Sequence, residues 1–132
     1  MKHYLAKTDP DTYSISQFAS DRKTIWDGVH NYQAINFIKQ MEIGDRVFIY
    51  HSMSDKAILG FAKVIGAPFE NKADPRYSWA IELEFIKHTK PITLYEMKQE
   101  PLLSSLLLIK NPRLSTMPVS NEIAEWINNR LA

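Results

Sequence analysis

The sequence predicts an α+β fold, a small curled sheet or open barrel with helices packed against its outside. Three observations lead there. Residues 46–86 are rich in β-branched and aromatic side chains, as strands are. The flanking stretches carry apolar residues at helical spacing. The resulting order, β-α-α-β-β-β-α-α-β-α, lacks the strict alternation of a nucleotide-binding βαβ sheet.

Taken in order, residues 2–7 form a short strand running into Thr8-Asp9-Pro10-Asp11, a turn in which Pro10 removes a backbone donor. Ser14 and Gln17 stand at capping-box spacing and open a brief helix to about Ser20. Arg22-Lys23 reads as a small basic loop and Trp26-Asp27-Gly28 as a second turn. A helix from about Asn31 to Met41 carries Ala34, Phe37, Ile38 and Met41 on one stripe, and Gly44 ends its connection to the next strand. Residues 46–52 and 57–69 are near-continuously apolar, so both strands should be covered on two faces. Residues 79–86 alternate: Trp79, Ile81, Leu83 and Phe85 face the core, while Glu82 and Glu84 face water. Thr93 and Glu96 cap a short helix, Pro101 starts another, and a short strand falls near 114–118. Ser120 caps a final amphipathic helix bearing Ile123, Trp126, Ile127 and Leu131.

The chain has 132 residues without repeat or linker, so a single domain over 1–132 is expected. Hydrophobic residues make up 45% and charged residues 23%, a composition that supports a packed core. No apolar run approaches the roughly 18 residues of a membrane span, and the N-terminus lacks a secretory apolar region. With no cysteine, disulfide scaffolds, thiol nucleophiles and Cys-ligated metals drop out, and a cytoplasmic location is expected. Sixteen Lys+Arg against fifteen Asp+Glu give a net charge of +1. The balance is even along the chain, with 8 basic and 7 acidic residues in 1–66 and 8 of each in 67–132. A protein that grips nucleic acid through many phosphates would show a basic excess, so any such role must rest on a local pocket.

Enzyme and metal signals are absent. The histidines, at 3, 30, 51 and 88, lack zinc-type spacing. The glycines at 28, 44, 60 and 66 form neither a nucleophile elbow nor a phosphate-cradling loop, and no cofactor is expected. The densest segment is Trp26-Asp-Gly-Val-His-Asn-Tyr-Gln-Ala34. A Trp on a loop before a helix can offer its face to a flat ligand. Asn31 suits a base edge, as donor and acceptor at once, or equally a helix cap. Tyr32 suits either a ring wall or the core.

That segment, WDGVHNYQA, resembles the signature of the EVE domain family. Three further motifs agree in order: Lys7-Thr-Asp-Pro-Asp-Thr-Tyr-Ser14, Gly44-Asp-Arg-Val-Phe-Ile-Tyr-His-Ser52 and Arg113-Leu-Ser-Thr-Met-Pro-Val119. The resemblance spans nearly the whole chain. It implies a PUA-like mixed barrel of about five or six strands, related to the YTH domains that read methylated adenine. It further implies a reader of a modified nucleobase, cytosine or adenine in DNA or RNA, flipped into an aromatic pocket. Carried over by position, the base-binding candidates are Trp26, Asn31, Tyr32, Lys7, Thr8, Asp9, Tyr50, His51 and Ser52. Arg22, Lys23, His30 and Arg113 are candidates for phosphate contact.

Two departures stand out, since the family often has Arg where this chain has His30 and Ile35. Both remove positive charge, so phosphate affinity should fall. Stacking one base is worth about 1–3 kcal/mol, while extruding it from a duplex costs a few. A methyl group adds only about 0.8 kcal/mol by burial. Sharp discrimination therefore falls to hydrogen bonds, expected from Asn31, Asp9 and the Thr8 hydroxyl. The expected partner is single-stranded nucleic acid or a flipped modified base. The protein is expected to be a monomer that calls on a separate effector protein, with no membrane contact. The alternative is an amidohydrolase of the PUA-like ASCH type acting on a modified cytidine, with Lys7, Thr8 and Asp9 at its centre. A third reading is an interaction module that presents the terminal helix around Trp126.

Overall fold

The computed structural model describes residues 1–130. One sheet holds seven strands among them: β1 (His3–Thr8), β2 (Lys23–Val29), β3 (Arg46–His51), β4 (Ala57–Val64), β5 (Phe69–Glu70), β6 (Trp79–Thr93) and β7 (Thr116–Val119). Their order is β2-β6-β4-β3-β1-β7, with β5 beside β6. Only the β1–β3 pair is parallel, from His3 opposite Arg46 to Thr8 opposite His51; the remaining pairs run antiparallel. The helices are α1 (Ile15–Asp21), α2 (Tyr32–Gln40), α3 (Leu94–Lys98), α4 (Leu107–Lys110) and α5 (Asn121–Arg130), with a 3₁₀ turn over Pro101–Ser105.

The expected curl is present. α2 packs against both β6 and β7, which lie near opposite ends of the sheet. It buries Ala34, Ile35 and Ile38, and Met41 at its C-cap is buried as well. α2 thus bridges the gap that an unclosed sheet leaves. β3 and β4 are covered almost throughout, as their apolar runs require. Ser120 caps α5, its hydroxyl accepting the Ile123 amide at 3.3 Å. Ile123 and Ile127 are buried; Trp126 is only partly so, with the Arg130 guanidinium 4.3 Å over its ring. Leu131, assigned to the same stripe, lies outside the described residues.

Several boundaries differ from the sequence reading, each for a physical reason. Lys23 and Trp26 are not loop and turn but strand. Lys23, Thr24, Ile25 and Trp26 pair with Glu84, Leu83, Glu82 and Ile81, and Asp27-Gly28 is absorbed as a bulge with Gly28 at φ 76°. The run 57–69 breaks after Val64, where Gly66 and Pro68 interrupt pairing. The strand from Trp79 continues to Thr93, because polar Lys87 and His88 and, past a register shift, Ile92 and Thr93 still pair with β4. Trp79 stands at the rim, half-buried, rather than in the core. The capping box at Ser14 is half-made: its hydroxyl accepts the Gln17 amide at 3.1 Å, while the Gln17 side chain turns to Asp21 at 2.9 Å.

Gly60, in β4, shows how tightly α1 lies on the sheet. A Cβ there would stand 2.6 Å from both Ile15 Cδ1 and the Lys87 carbonyl oxygen. The side chain can yield but the backbone carbonyl cannot. Gly60→Ala should therefore destabilise the fold by about 1–3 kcal/mol, seen in urea unfolding as a lower midpoint at unchanged slope.

Candidate functional site

The curl brings the end of β1 opposite β2, although three strands separate them in the sheet. Between them opens a cleft of about 340 Å³, lined by Lys7, Thr8, Thr12, Tyr13, Thr24, Ile25, Trp26 and Asp27.

Its first wall is built by the turn after β1. The Asp9 carbonyl accepts the amides of Thr12 and Tyr13, each at 2.9 Å, and its carboxylate accepts the Asp11 amide at 2.9 Å. The Thr8 hydroxyl donates to the Tyr13 carbonyl at 2.7 Å, which folds the turn back on the strand. The Tyr13 hydroxyl then donates to the Asp21 carboxylate at 2.8 Å. The second wall is β2. Trp26 is 8% exposed, its ring 6.0 Å from Tyr13 at 81° and 5.7 Å from Phe18 at 55°. Edge contacts of this kind hold an aromatic wall in one orientation.

Beneath the cleft, His51 fastens α1 to β3. Its Nε2 accepts the buried Ile15 amide at 3.0 Å, and its Nδ1 lies 2.8 Å from the Asp55 carboxylate. The pairing assigns the proton to Nδ1, since Nε2 must keep its lone pair. Ser52 supports the same corner, its amide donating to the Thr8 carbonyl at 3.0 Å.

Lys7 is the cation of the cleft, and its ammonium donates to the Pro112 carbonyl. Burial lowers its pKa below the ordinary lysine value. Burial likewise raises the Tyr13 and Tyr50 phenols above 10. Asp27 supplies a carboxylate at the exposed edge. The lining thus combines two aromatic rings, three threonine hydroxyls, a cation and an anion.

Of the sequence-derived candidates, Lys7, Thr8 and Trp26 meet in this cleft. Trp26 does so from a strand, largely covered, rather than from a free loop. Asp9 spends its carboxylate on the turn. Tyr50 is buried in β3, and His51 and Ser52 hold the cleft from behind instead of lining it. Asn31 caps α2, its side chain accepting the Ala34 amide at 3.0 Å. Tyr32 points to solvent at 73% exposure, neither core nor cleft wall. Arg22 and Lys23 are exposed at the entry to β2, and Arg113 is exposed beside Pro112. His30 meets the Asp74 carboxylate at 2.7 Å. The lining residues Thr12, Tyr13, Thr24 and Ile25 carry no signal of their own in the sequence reading, whereas Asp27 stands in its densest segment as a carboxylate able to accept from an exocyclic amine. Tyr13 was within reach, because it sits in the motif opening at Lys7. Among the described residues, no group of three or more His, Asp or Glu side chains is placed to hold a metal.

The EVE domain family model matches residues 2–130. Thymocyte nuclear protein 1 of Gallus gallus is 27% identical, over 95% of this chain and 66% of its own length, so the chain spans just under two thirds of that relative. The crystal structure of a Pseudomonas syringae protein is 34% identical with a TM-score of 0.88, covering 98% of this chain and 99% of that one. Human thymocyte nuclear protein 1, in complex with 5-methylcytosine-containing DNA, superposes with a TM-score of 0.87 over 98% of this chain and 96% of that one; at 24% identity the likeness is one of fold.

Two outcomes follow from this geometry. Replacing His51 by Leu leaves the Ile15 amide buried without an acceptor, which should cost about 1–3 kcal/mol in denaturant unfolding. Asp74 is held down to a pKa of about 2, first by the Arg76 amide and then by His30 and Ser78. Its contribution to stability is complete above its ordinary value of 3.8 and is lost as pH falls through about 2. Acid titration followed by tryptophan fluorescence should show that step, and Asp74→Asn should remove it.

Proposed function

The chain belongs to the EVE domain family, and we propose on that footing that it is a non-enzymatic module that takes one modified nucleobase into the cleft between β1 and β2. The observation that carries this reading is the lining itself: a Trp26–Tyr13 aromatic pair framed by groups that both donate and accept. A base presents two flat faces and an edge of mixed donors and acceptors. The rings suit the faces. Lys7 and the hydroxyls of Thr12 and Thr24 suit carbonyl or ring-nitrogen acceptors, and Asp27 suits an exocyclic amine. At about 340 Å³ the cleft is at the small end of ligand pockets, room for one base rather than a dinucleotide.

Modified cytosine in DNA is the first choice of ligand, supported by the human relative in complex with 5-methylcytosine-containing DNA. Modified bases in RNA belong to the same proposal. The even charge balance and the engagement of His30 by Asp74 favour single strands over duplex, where extrusion must be offset by many phosphate contacts. On this reading the domain works as a monomer and reports a modification to a separate effector.

Hydrolysis is disfavoured by the same geometry. An amidohydrolase would need Lys7 or Asp9 to draw a proton from Thr8. The Thr8 hydroxyl proton is directed at the Tyr13 carbonyl, the Lys7 ammonium at the Pro112 carbonyl and the Asp9 carboxylate at the Asp11 amide.

The test is a titration with short DNA and RNA strands, with and without 5-methylcytosine or a methylated adenine, followed by intrinsic fluorescence. Trp26→Phe is the control, because it keeps a ring in the wall, whereas truncation to Ala would cost about 3–5 kcal/mol. Quenching that depends on the modification and disappears in Trp26→Phe is expected, with weaker binding to duplex. An affinity indifferent to both modification and strandedness would overturn the reading. Acid release from an acylated cytidine would replace it with the hydrolase.

A further inference from the structure

Beyond the cleft, β2 leads through its bulge into a second cluster of aromatic rings. Tyr32, at the start of α2, is 73% exposed and packs beside Tyr77, 44% exposed, with centroids 5.9 Å apart and planes at 38°. Tyr77 accepts the indole N–H of Trp79 at 3.1 Å, and the Lys39 ammonium stands 4.9 Å over the Trp79 ring. Two large exposed rings in mutual contact, continued by a third that carries a cation, form an apolar strip that the chain leaves open to solvent.

The strip is held in place. The β5–β6 loop bearing Tyr77 is closed by the Asn71 amide on the Ser78 carbonyl at 3.0 Å. Inside it the Asp74 carboxylate accepts the Arg76 amide at 2.9 Å and the Ser78 hydroxyl at 3.0 Å, and meets His30 Nε2 at 2.7 Å. His30 lies two residues before Tyr32, so this contact fixes the two tyrosines relative to each other. The surrounding charge is positive: Lys39, Lys72 and Arg76 are exposed, Asp74 is bonded within the loop, and Glu70 is the exposed carboxylate of the segment.

We infer that the Tyr32–Tyr77–Trp79 strip is a stacking platform for the unpaired nucleotides that flank the base in the cleft, with Lys39, Lys72 and Arg76 facing their phosphates. The inference takes its ligand class from the nucleobase reading. Tyr32 follows Asp27 at the cleft by five residues, so the two sites lie within about 17 Å, a span that one strand covers in a few nucleotides. Stacking on exposed rings beside cations binds single strands with little regard to sequence. The cleft would then supply modification specificity and the strip a general hold on the strand.

Fluorescence anisotropy with labelled strands of about twelve thymidines or uridines, and with a thymidine strand carrying one central 5-methylcytosine, separates the two sites. Tyr32→Ala and Tyr77→Leu should each weaken every strand about fivefold or more, the smallest effect expected of one lost stack. Trp26→Phe should reduce the increment that the modified base adds over the thymidine strand. Because Tyr32 is largely exposed, its variant should melt as the wild type does. Unmodified strands that bind wild type and Tyr32→Ala alike, or that do not bind wild type at all, overturn the platform. The Trp26-dependent increment then judges the cleft by itself. Tyr32-dependent binding without any modification increment would keep the platform and remove the base-reading cleft.

Discussion

The sheet curls far enough to bring its two halves face to face, yet its ends are joined by a helix rather than by strand pairing. That constraint shapes everything at the cleft. α2 contacts β6 and β7 and fills the gap with Ala34, Ile35 and Ile38. Where the helix does not reach, the end of β1 and the start of β2 face each other across open space. A fully closed small barrel would have filled that space with side chains. The cleft is therefore a product of incomplete closure, and its walls come from strands remote in sheet order.

Local bonds then turn a gap into a shaped site. His51 gives the buried Ile15 amide an acceptor and so seats α1 on β3. α1 in turn places Phe18 against Trp26 and Asp21 at the Tyr13 hydroxyl. Thr8 closes the turn from the other side. The polar groups that remain directed at the cleft are few and of mixed sign, consistent with a chain whose charges balance. On the proposed reading such a site would discriminate by shape and hydrogen bonding, since its mixed charges give little long-range attraction.

Much of this was legible in the amino-acid order. The α2 stripe, the doubly covered β3 and β4, the caps at Asn31 and Ser120 and the mixed fold all follow from periodicity and local side-chain chemistry. Lys7, Thr8 and Trp26 were recognisable from motifs. The misplacements share one cause. Trp26-Asp27-Gly28 has turn composition, but cross-strand pairing with β6 outweighs it and converts the turn into a bulge. Asn31 and Tyr32 sit close to Trp26 in sequence, yet the bulge and helix start carry Tyr32 away to the β5–β6 loop. His51 looked like a site residue because its motif is distinctive; its partners, Ile15 and Asp55, emerge only when the chain is folded. Long-range hydrogen bonds leave no local pattern to read.

The bulge at Asp27-Gly28 has a second consequence, for how the molecule behaves among its own copies. β2 stands at one end of the sheet order, and a terminal strand exposes a ladder of unpaired amides and carbonyls that can recruit another chain. A straight run from Lys23 to Val29 would offer such a ladder over its full length. The register shift between Trp26 and Val29 interrupts it, and Lys23 and Asp27 add charge along it. The irregularity that separates the cleft from the tyrosines also shortens the regular ladder that the terminal strand could offer another chain.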